Sequence, residues 1–187
     1  MDEDSRLEDN RLIDSYLDEG DEVALEEIVI KYRREVYLIA YRMAGDMEEA
    51  KDITQKALIS AVAKLKDFKK KSSFKTWLYR ITVNAALNHM RGNAYKTVEL
   101  CETMKSEDEG VVCRLIEKEQ ERNLKVLLAA LPPRQRLSVI LRVYKGLSLA
   151  ETADVMGCSQ GAVKSHYHSA IKKLKTTMAA NQTGEYL

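Results

Sequence analysis

Apolar side chains recur at steps of three and four residues along most of this chain. Residues 25–43 carry one such stripe, residues 50–65 a second and residues 74–85 a third. A helix of 3.6 residues per turn places residues at these steps on one face. The 187 residues include only 2 prolines and 8 glycines, so little interrupts the helices. The sequence therefore predicts an all-α fold.

Residues that start and stop helices mark the boundaries of the first three. Gly45 follows the first stripe as a C-cap, and Asp46 with Glu49 is typical of a capping box that starts the second helix. Ser72 or Ser73 is expected to start the third helix. Three long amphipathic helices are enough for one small domain.

The pattern weakens after the third helix and then resumes. Residues 94–116 sustain no period and are acidic, which is typical of a flexible linker. A helix over about residues 115–131 ends at a proline pair, Pro133 starts the next helix, and Gly146 closes it. We therefore expect two small helical domains, residues 1–93 and 117–187, joined by the linker at 94–116.

The second domain ends in a short helix, a tight turn and a longer polar helix. Ser148 and Glu151 predict a capping box for the short helix, and Gly157 closes it after two turns. Ala153 is small enough for two helices to approach, and Val163 is placed to fill the crossing from the second helix. This spacing predicts a helix-turn-helix unit, with an ordinary helical hairpin as the alternative.

Charge is strongly segregated along the chain, although the net charge is only +1. Residues 1–27 hold twelve acidic and two basic side chains, a net charge of −10. Residues 61–93 hold eight basic side chains and one acidic, a net charge of +7. The basic segment suits a polyanion such as nucleic acid, although lysine runs are often only solvated loops. We expect the acidic N-terminus to be a solvated extension, or else a competitor of DNA for the basic loop.

Two helix faces carry side chains suited to phosphates and base edges. One stripe on the third helix follows steps of four, four and three residues and comprises Arg80, Asn84, Asn88 and Arg91. The exposed side of the second helix of the helix-turn-helix comprises Gln160, Lys164, Ser165, His168 and Lys172. Trp77 beside the first stripe is more simply explained by core packing than by base stacking.

Other classes of protein find little support. No apolar run approaches the roughly 20 residues that span a bilayer, and a cytoplasmic protein is the default expectation. Cys101, Cys113 and Cys158 are too widely spaced for a metal knuckle, so we expect reduced thiols. His166 and His168 stand two residues apart and do not share a helix face. We expect no metal, no cofactor and no enzymatic activity.

Three stretches together resemble one family. They are "EEAKDITQKALISAV", "DFKKKSSFKTWLYRITVNAALNHMR" and "LPPRQRLSVILRVYKGLSLAETADVMGCSQGAVKSHYHSAIKKLK". In order and spacing they resemble the bacterial extracytoplasmic-function sigma factors over most of residues 20–176. The resemblance implies a factor that binds core RNA polymerase, recognises the minus-10 and minus-35 elements of promoters, and promotes DNA melting. The alternative is a free-standing helix-turn-helix regulator that acts without polymerase.

The resemblance also implies roles for individual residues. The segment that docks on the beta-prime clamp of polymerase matches Asp52, Gln55, Lys56 and Ile59. The loop and helix that bind and open the minus-10 element match Phe68, Lys69, Lys70, Lys71, Ser73, Phe74, Arg80, Asn84, Asn88 and Arg91. The recognition helix for the minus-35 element matches Ser159, Gln160, Gly161, Lys164, Ser165, His168 and Lys172.

The implied partners follow from the same resemblance. They are core polymerase at its beta-prime clamp and beta flap, promoter DNA, and an anti-sigma factor that can hold the protein at the membrane without insertion of this chain. In polymerase holoenzyme the protein would associate with the nucleoid.

The chain departs from the family pattern at His166, Ser169 and Ile171, where arginines are frequent. We expect these changes to weaken minus-35 binding by roughly a power of ten or more at physiological salt.

Overall fold

The computed structural model describes residues 3–94 and 126–182, and these residues contain helices and turns but no β-strand. The all-α prediction is confirmed. The linker expected at 94–116 lies outside the described residues except for Ala94, which is still helical. Most of the helix expected at 115–131 also lies outside them, and residues 126–129 are helical. The remaining elements are α1 Glu3–Glu19, α2 Glu22–Ala44, α3 Met47–Ala63, a 3-10 turn Leu65–Asp67, α4 Phe74–Ala94, α5 Pro133–Val139 with its π-helical continuation Ile140–Tyr144, α6 Leu149–Met156 and α7 Gln160–Gln182.

The expected caps define α2, α3 and α4. Gly45 adopts a φ of 80°, and its amide bonds to the Tyr41 carbonyl at the end of α2. One oxygen of Asp46 accepts the amides of Glu48 and Glu49, each at 2.9 Å. Ser73 Oγ accepts the amide of Thr76 at 3.1 Å and so starts α4. Local side-chain chemistry therefore sets these three boundaries.

The acidic N-terminus is a helix and not a solvated extension, so that prediction was wrong. Leu12 and Ile13 of α1 are buried against α2. Asp9 is also buried, where it accepts a hydrogen bond from the Tyr32 hydroxyl and pairs with Lys31. The sequence analysis did not recognise α1 as an amphipathic helix, because its apolar stripe is narrow and stands among many acidic residues.

The helix-turn-helix prediction is confirmed in its local geometry. Ser148 Oγ accepts the Glu151 amide at 3.2 Å, while the Glu151 carboxylate accepts the Ser148 amide at 2.8 Å. Gly157 has a φ of 61° and closes α6. Val163 is fully buried at the crossing of α6 and α7, near the buried Ala153. The two helices therefore meet at the small and branched residues that the sequence placed there.

Within residues 3–94 and 126–182 the buried apolar side chains form three clusters. One lies among α1 to α4, and includes Ile28, Val36 and Leu78. A small one lies between residues 126–131, α5 and α7. The third contains buried side chains from residues 3–94, here called the N-terminal unit, and from residues 126–182, the C-terminal unit. The two units are thus packed against each other.

Candidate nucleic-acid interface

The polar stripe of α4 is open to solvent. Arg80, Asn84, Asn88 and Arg91 are all exposed. The other side of the helix packs into the core through Leu78, Val83, Ala86 and neighbouring residues. Because burial fixes the rotation of α4, the two guanidinium groups and two amides point outward together. Such a row can contact phosphates and base edges of a nucleic acid.

An aromatic cluster supports the loop that leads into α4. Phe68 and Phe74 are buried, and Trp77 is half-buried. The Phe68 ring lies 5.6 Å from that of Phe74 and 5.3 Å from that of Trp77. These rings contribute to the N-terminal core, as the core-packing interpretation of Trp77 expects. The loop therefore has a rigid apolar base.

The lysines of the loop lie outside this base. Lys69, Lys70 and Lys71 are exposed. Lys70 has a φ of 55°, the one positive φ at a non-glycine residue among those described. It forms an ion pair with Asp14 of α1. Ser73 is buried with its hydroxyl bonded at the start of α4. The predicted minus-10 set thus divides into exposed cations and amides and a buried support of Phe68, Ser73 and Phe74.

A different face is exposed on α3. Asp52, Gln55, Lys56 and Ile59 are all open to solvent, and Ile59 is 61% exposed. The opposite face buries Ala50, Ile53, Ala57 and Ala61. This face therefore offers apolar contact area beside charged and amide groups, a combination that a protein partner can use.

The second candidate DNA-binding face lies on α7. Ser159 Oγ accepts the Ala162 amide at 3.2 Å and so caps the helix. All seven residues predicted there are exposed: Ser159, Gln160, Gly161, Lys164, Ser165, His168 and Lys172. Lys175, three residues beyond Lys172, is also exposed. The sequence interpretation missed Lys175, although the three-residue step placed it on the same side.

Hydrogen bonding shifts the acidity of the cap that positions α7. The Ser148 hydroxyl and amide hold the pKa of the Glu151 carboxyl below its usual value. The carboxylate form is therefore favoured at neutral pH, and the reciprocal cap stays formed. This cap fixes the start of α6, which in turn fixes the angle of α7.

No helix in the described part of the chain is long and apolar enough to cross a bilayer. Within residues 3–94 and 126–182 no three histidine, cysteine, aspartate or glutamate side chains form a group that could hold a metal ion.

Comparison with known proteins identifies the family. Residues 28–95 match Sigma-70 region 2, and residues 121–174 match Sigma-70 region 4. The RNA polymerase sigma-H factor of Pseudomonas aeruginosa is 30% identical over 87% of this chain and 90% of its own length. The ECF RNA polymerase sigma factor SigW of Bacillus subtilis is 30% identical over 83% of this chain and 89% of its own.

Solved structures share the fold. CnrH, solved in complex with the cytosolic domain of CnrY, covers 94% of this chain with a TM-score of 0.69 at 20% identity, over 97% of its own length. The sigma factor RpoE of Bartonella quintana, solved with the anti-sigma factor NepR, covers 82% of this chain and 96% of its own with a TM-score of 0.67 at 22% identity.

The chain belongs to the extracytoplasmic-function RNA polymerase sigma factors of the sigma-70 family. This membership favours a polymerase-associated factor over a free-standing regulator.

Proposed function

We propose that this protein binds core RNA polymerase through α3, reads the minus-10 element through α4 and its basic loop, and reads the minus-35 element through α7. The observation that carries the proposal is the presence of three separate exposed faces in one chain. Two are basic or amide-rich, and the third presents Ile59 among Asp52, Gln55 and Lys56. A free-standing regulator would need α7 but not the α3 face.

The two domains would bind different partners. Residues 1–93 would bind polymerase and the minus-10 element, and residues 117–187 would bind the minus-35 element. Residues 94–116 would connect them. On α7, Lys164, Ser165 and His168 would contact base edges in the major groove. The neighbouring phosphates and base edges would be contacted by Ser159, Gln160, Gly161 and Lys172. Duplex DNA would remain paired there.

The minus-10 half would act on a separated strand. Opening a base step costs a few kcal/mol, and contacts with the unpaired strand offset that cost. Lys69, Lys70 and Lys71 would hold the backbone, while Asn84 and Asn88 contact base edges and Arg80 and Arg91 contact phosphates. Phe68, Ser73 and Phe74 would shape the loop from beneath. The protein performs no covalent step in this scheme, because the polymerase catalyses RNA synthesis.

An anti-sigma factor is the expected regulator. The structurally similar CnrH and RpoE were each solved with a partner, the cytosolic domain of CnrY and the anti-sigma factor NepR. We infer that a partner of this class sequesters the present chain in the cytoplasm, where it also meets polymerase and the beta flap. A membrane-anchored partner would hold it at the membrane surface.

Run-off transcription tests the proposal. Core polymerase of the source bacterium is given fragmented genomic DNA with and without this protein, and the transcript starts are mapped. New starts that share two short upstream motifs are the expected result. Binding of duplex DNA by the protein alone, with no new starts, would instead support the free-standing regulator.

A further inference from the structure

The basic loop that leads into α4 is fixed at both ends by buried side chains. Phe68 is buried, and its amide bonds to the Leu65 carbonyl at 3.0 Å. Ser73 and Phe74 are buried at the other end. Between these anchors lie residues 69–71, whose side chains are exposed. Burial therefore fixes where the loop begins and ends, but not the path between the two ends.

The middle of the loop adopts an unfavourable backbone conformation. Lys70 has a φ of 55°, in the left-handed region. A residue with a Cβ atom is disfavoured there, because the Cβ atom approaches a backbone carbonyl oxygen. Asparagine and aspartate can offset this cost through a local hydrogen bond from a short side chain, which lysine lacks. A contact from outside the loop is therefore needed to hold this path.

Asp14 of α1 provides such a contact. Its carboxylate forms an ion pair with the Lys70 ammonium, although the two residues are 56 apart in the sequence. Within the described residues this is the one ion pair that Lys69, Lys70 or Lys71 forms. The side chains of Asp14 and Lys70 remain 49% and 39% exposed. The pair is therefore accessible to a DNA strand and has the modest strength of a surface ion pair.

Helix α1 fixes the position of Asp14 relative to the loop. The preceding residues Leu12 and Ile13 are buried in the same apolar cluster as Phe68 and Phe74, which anchor the loop. Helix α1 also packs against α2 and contacts α4. One core therefore carries both the carboxylate and the two ends of the loop, so burial places the carboxylate independently of the ion pair.

The ion pair leaves Lys70 able to bind a phosphate. An ammonium group has three N–H donors, and Asp14 accepts one of them. Asp14 also lines a groove between α1 and the start of α2, whose walls carry five carboxylates, including Asp18 and Glu19, and the guanidinium of Arg11. Carboxylates repel phosphates. A strand that binds Lys70 is therefore favoured on the side of the loop away from this groove.

We propose that Asp14 is a positioning residue of the minus-10 loop, which holds Lys70 in its left-handed conformation and so sets the path of the strand that the loop binds. This inference rests on the proposed function of the loop in minus-10 recognition. A loop with several conformations would lose more conformational entropy on binding DNA and would also accommodate incorrect nucleotides. Loss of the Asp14 charge should therefore lower discrimination at the minus-10 element.

Proteolysis of the free full-length protein tests whether Asp14 holds the loop. Asp14→Asn removes the charge at nearly constant shape, Asp14→Glu keeps the charge, and Asp18→Asn makes the same change at an exposed residue one turn along α1. Trypsin cleavage after residues 69–71, followed by mass spectrometry, measures opening of the loop.

We expect Asp14→Asn to be cleaved about twofold to fivefold faster than wild type, which is the effect of losing a surface ion pair. The Asp14→Glu and Asp18→Asn variants should be cleaved at the wild-type rate. Equal cleavage rates for Asp14→Asn and wild type would overturn the role of Asp14 in holding the loop.

Transcription measures the consequence for promoter recognition. Run-off transcription from a mapped promoter is compared with versions altered in one element at a time. We expect Asp14→Asn to lower discrimination at the minus-10 element by about twofold to fivefold and to leave the minus-35 element unaffected. Asp14→Glu should restore the wild-type discrimination. In a Lys70→Ala background, Asp14→Asn should have no further effect, because the carboxylate acts through Lys70.

Two results of the transcription series would overturn the proposal. One is an equal effect of Asp14→Asn with and without Lys70→Ala, since the carboxylate would then act without Lys70. The other is an equal effect of Asp14→Asn and Asp18→Asn, since the net charge of α1 would then explain both. If wild type starts no transcripts with core polymerase, the sigma-factor function fails, and the trypsin series still decides whether Asp14 holds the loop.

Discussion

Single residues set the boundaries on which both proposed DNA-binding faces depend. Gly45, Asp46, Ser73, Ser148 and Gly157 could be assigned from sequence because each acts on backbone groups within a few residues. The buried position of Asp9 could not, since its partners Tyr32 and Lys31 are more than twenty residues away. Sequence reasoning is reliable at this scale only where the partner is local.

Loss of the reciprocal cap should weaken the helix-turn-helix. Ser148→Ala removes the hydroxyl that accepts the Glu151 amide, and such changes cost about 1 kcal/mol of the free energy of unfolding. Urea unfolding at pH 7 measures this loss. Thr176→Ala, at an exposed position in α7, should change the free energy by less than about 0.5 kcal/mol. Equal effects from the two substitutions would contradict the role of the cap.

The same cap predicts a pH dependence. The pKa of Glu151 is lowered in the folded chain, so its contribution is complete above its usual value of 4.5 and is lost as pH falls through the lower folded value. The difference in unfolding free energy between wild type and Ser148→Ala should therefore shrink between pH 5 and pH 3, because the Glu151 carboxylate is protonated over this range. A difference that stays constant over this range would show that Glu151 does not take part.

At the level of secondary-structure elements, most helices could be predicted from the sequence, and their packing could be predicted only in part. The apolar stripes of α2 and α3 are buried as their spacing indicated. Helix α1 was missed, because its few apolar residues stand among acids and its burial depends on a surface that only α2 provides. An amphipathic pattern is visible in sequence, but the surface that covers it is not.

Helix α1 should contribute to stability. Ile13→Ala removes a side chain that is 1% exposed, and comparable substitutions cost about 2 to 5 kcal/mol. Leu7→Ala in the same helix alters a residue that is 62% exposed and should have little effect. Chemical unfolding of both variants makes the comparison. Similar stabilities would mean that α1 does not pack on α2 in solution.

The exposed face of α3 should bind polymerase. Ile59→Glu puts a charge at the centre of this face and should weaken affinity for core polymerase by about tenfold or more, since buried interface residues carry much of the binding energy. Ile30→Glu on α2 is the matched control, because Ile30 is 64% exposed and Ile59 61%. Fluorescence titration with core polymerase measures both. A similar loss of polymerase affinity in the two variants would show that the exposed face of α3 is not the binding surface.

At the scale of the whole molecule, sequence indicated two parts but not their contact. The bond from Arg136 to the Met43 carbonyl spans 93 residues, and the pair of Lys145 with Glu35 spans 110. Neither is signalled by spacing, because each depends on how two finished units meet. The exposed faces were predictable for the opposite reason, since helix periodicity alone separates polar from apolar sides.

In the proposed function, one chain reads two promoter elements through two separate faces. The most direct measurement is run-off transcription with Asn84→Ala and Lys164→Ala on a mapped promoter and on versions altered in one element at a time. We expect Asn84→Ala to lose discrimination only at the minus-10 element and Lys164→Ala only at the minus-35 element, each by roughly 1 to 3 kcal/mol. Loss of discrimination at the same element by both variants would contradict it.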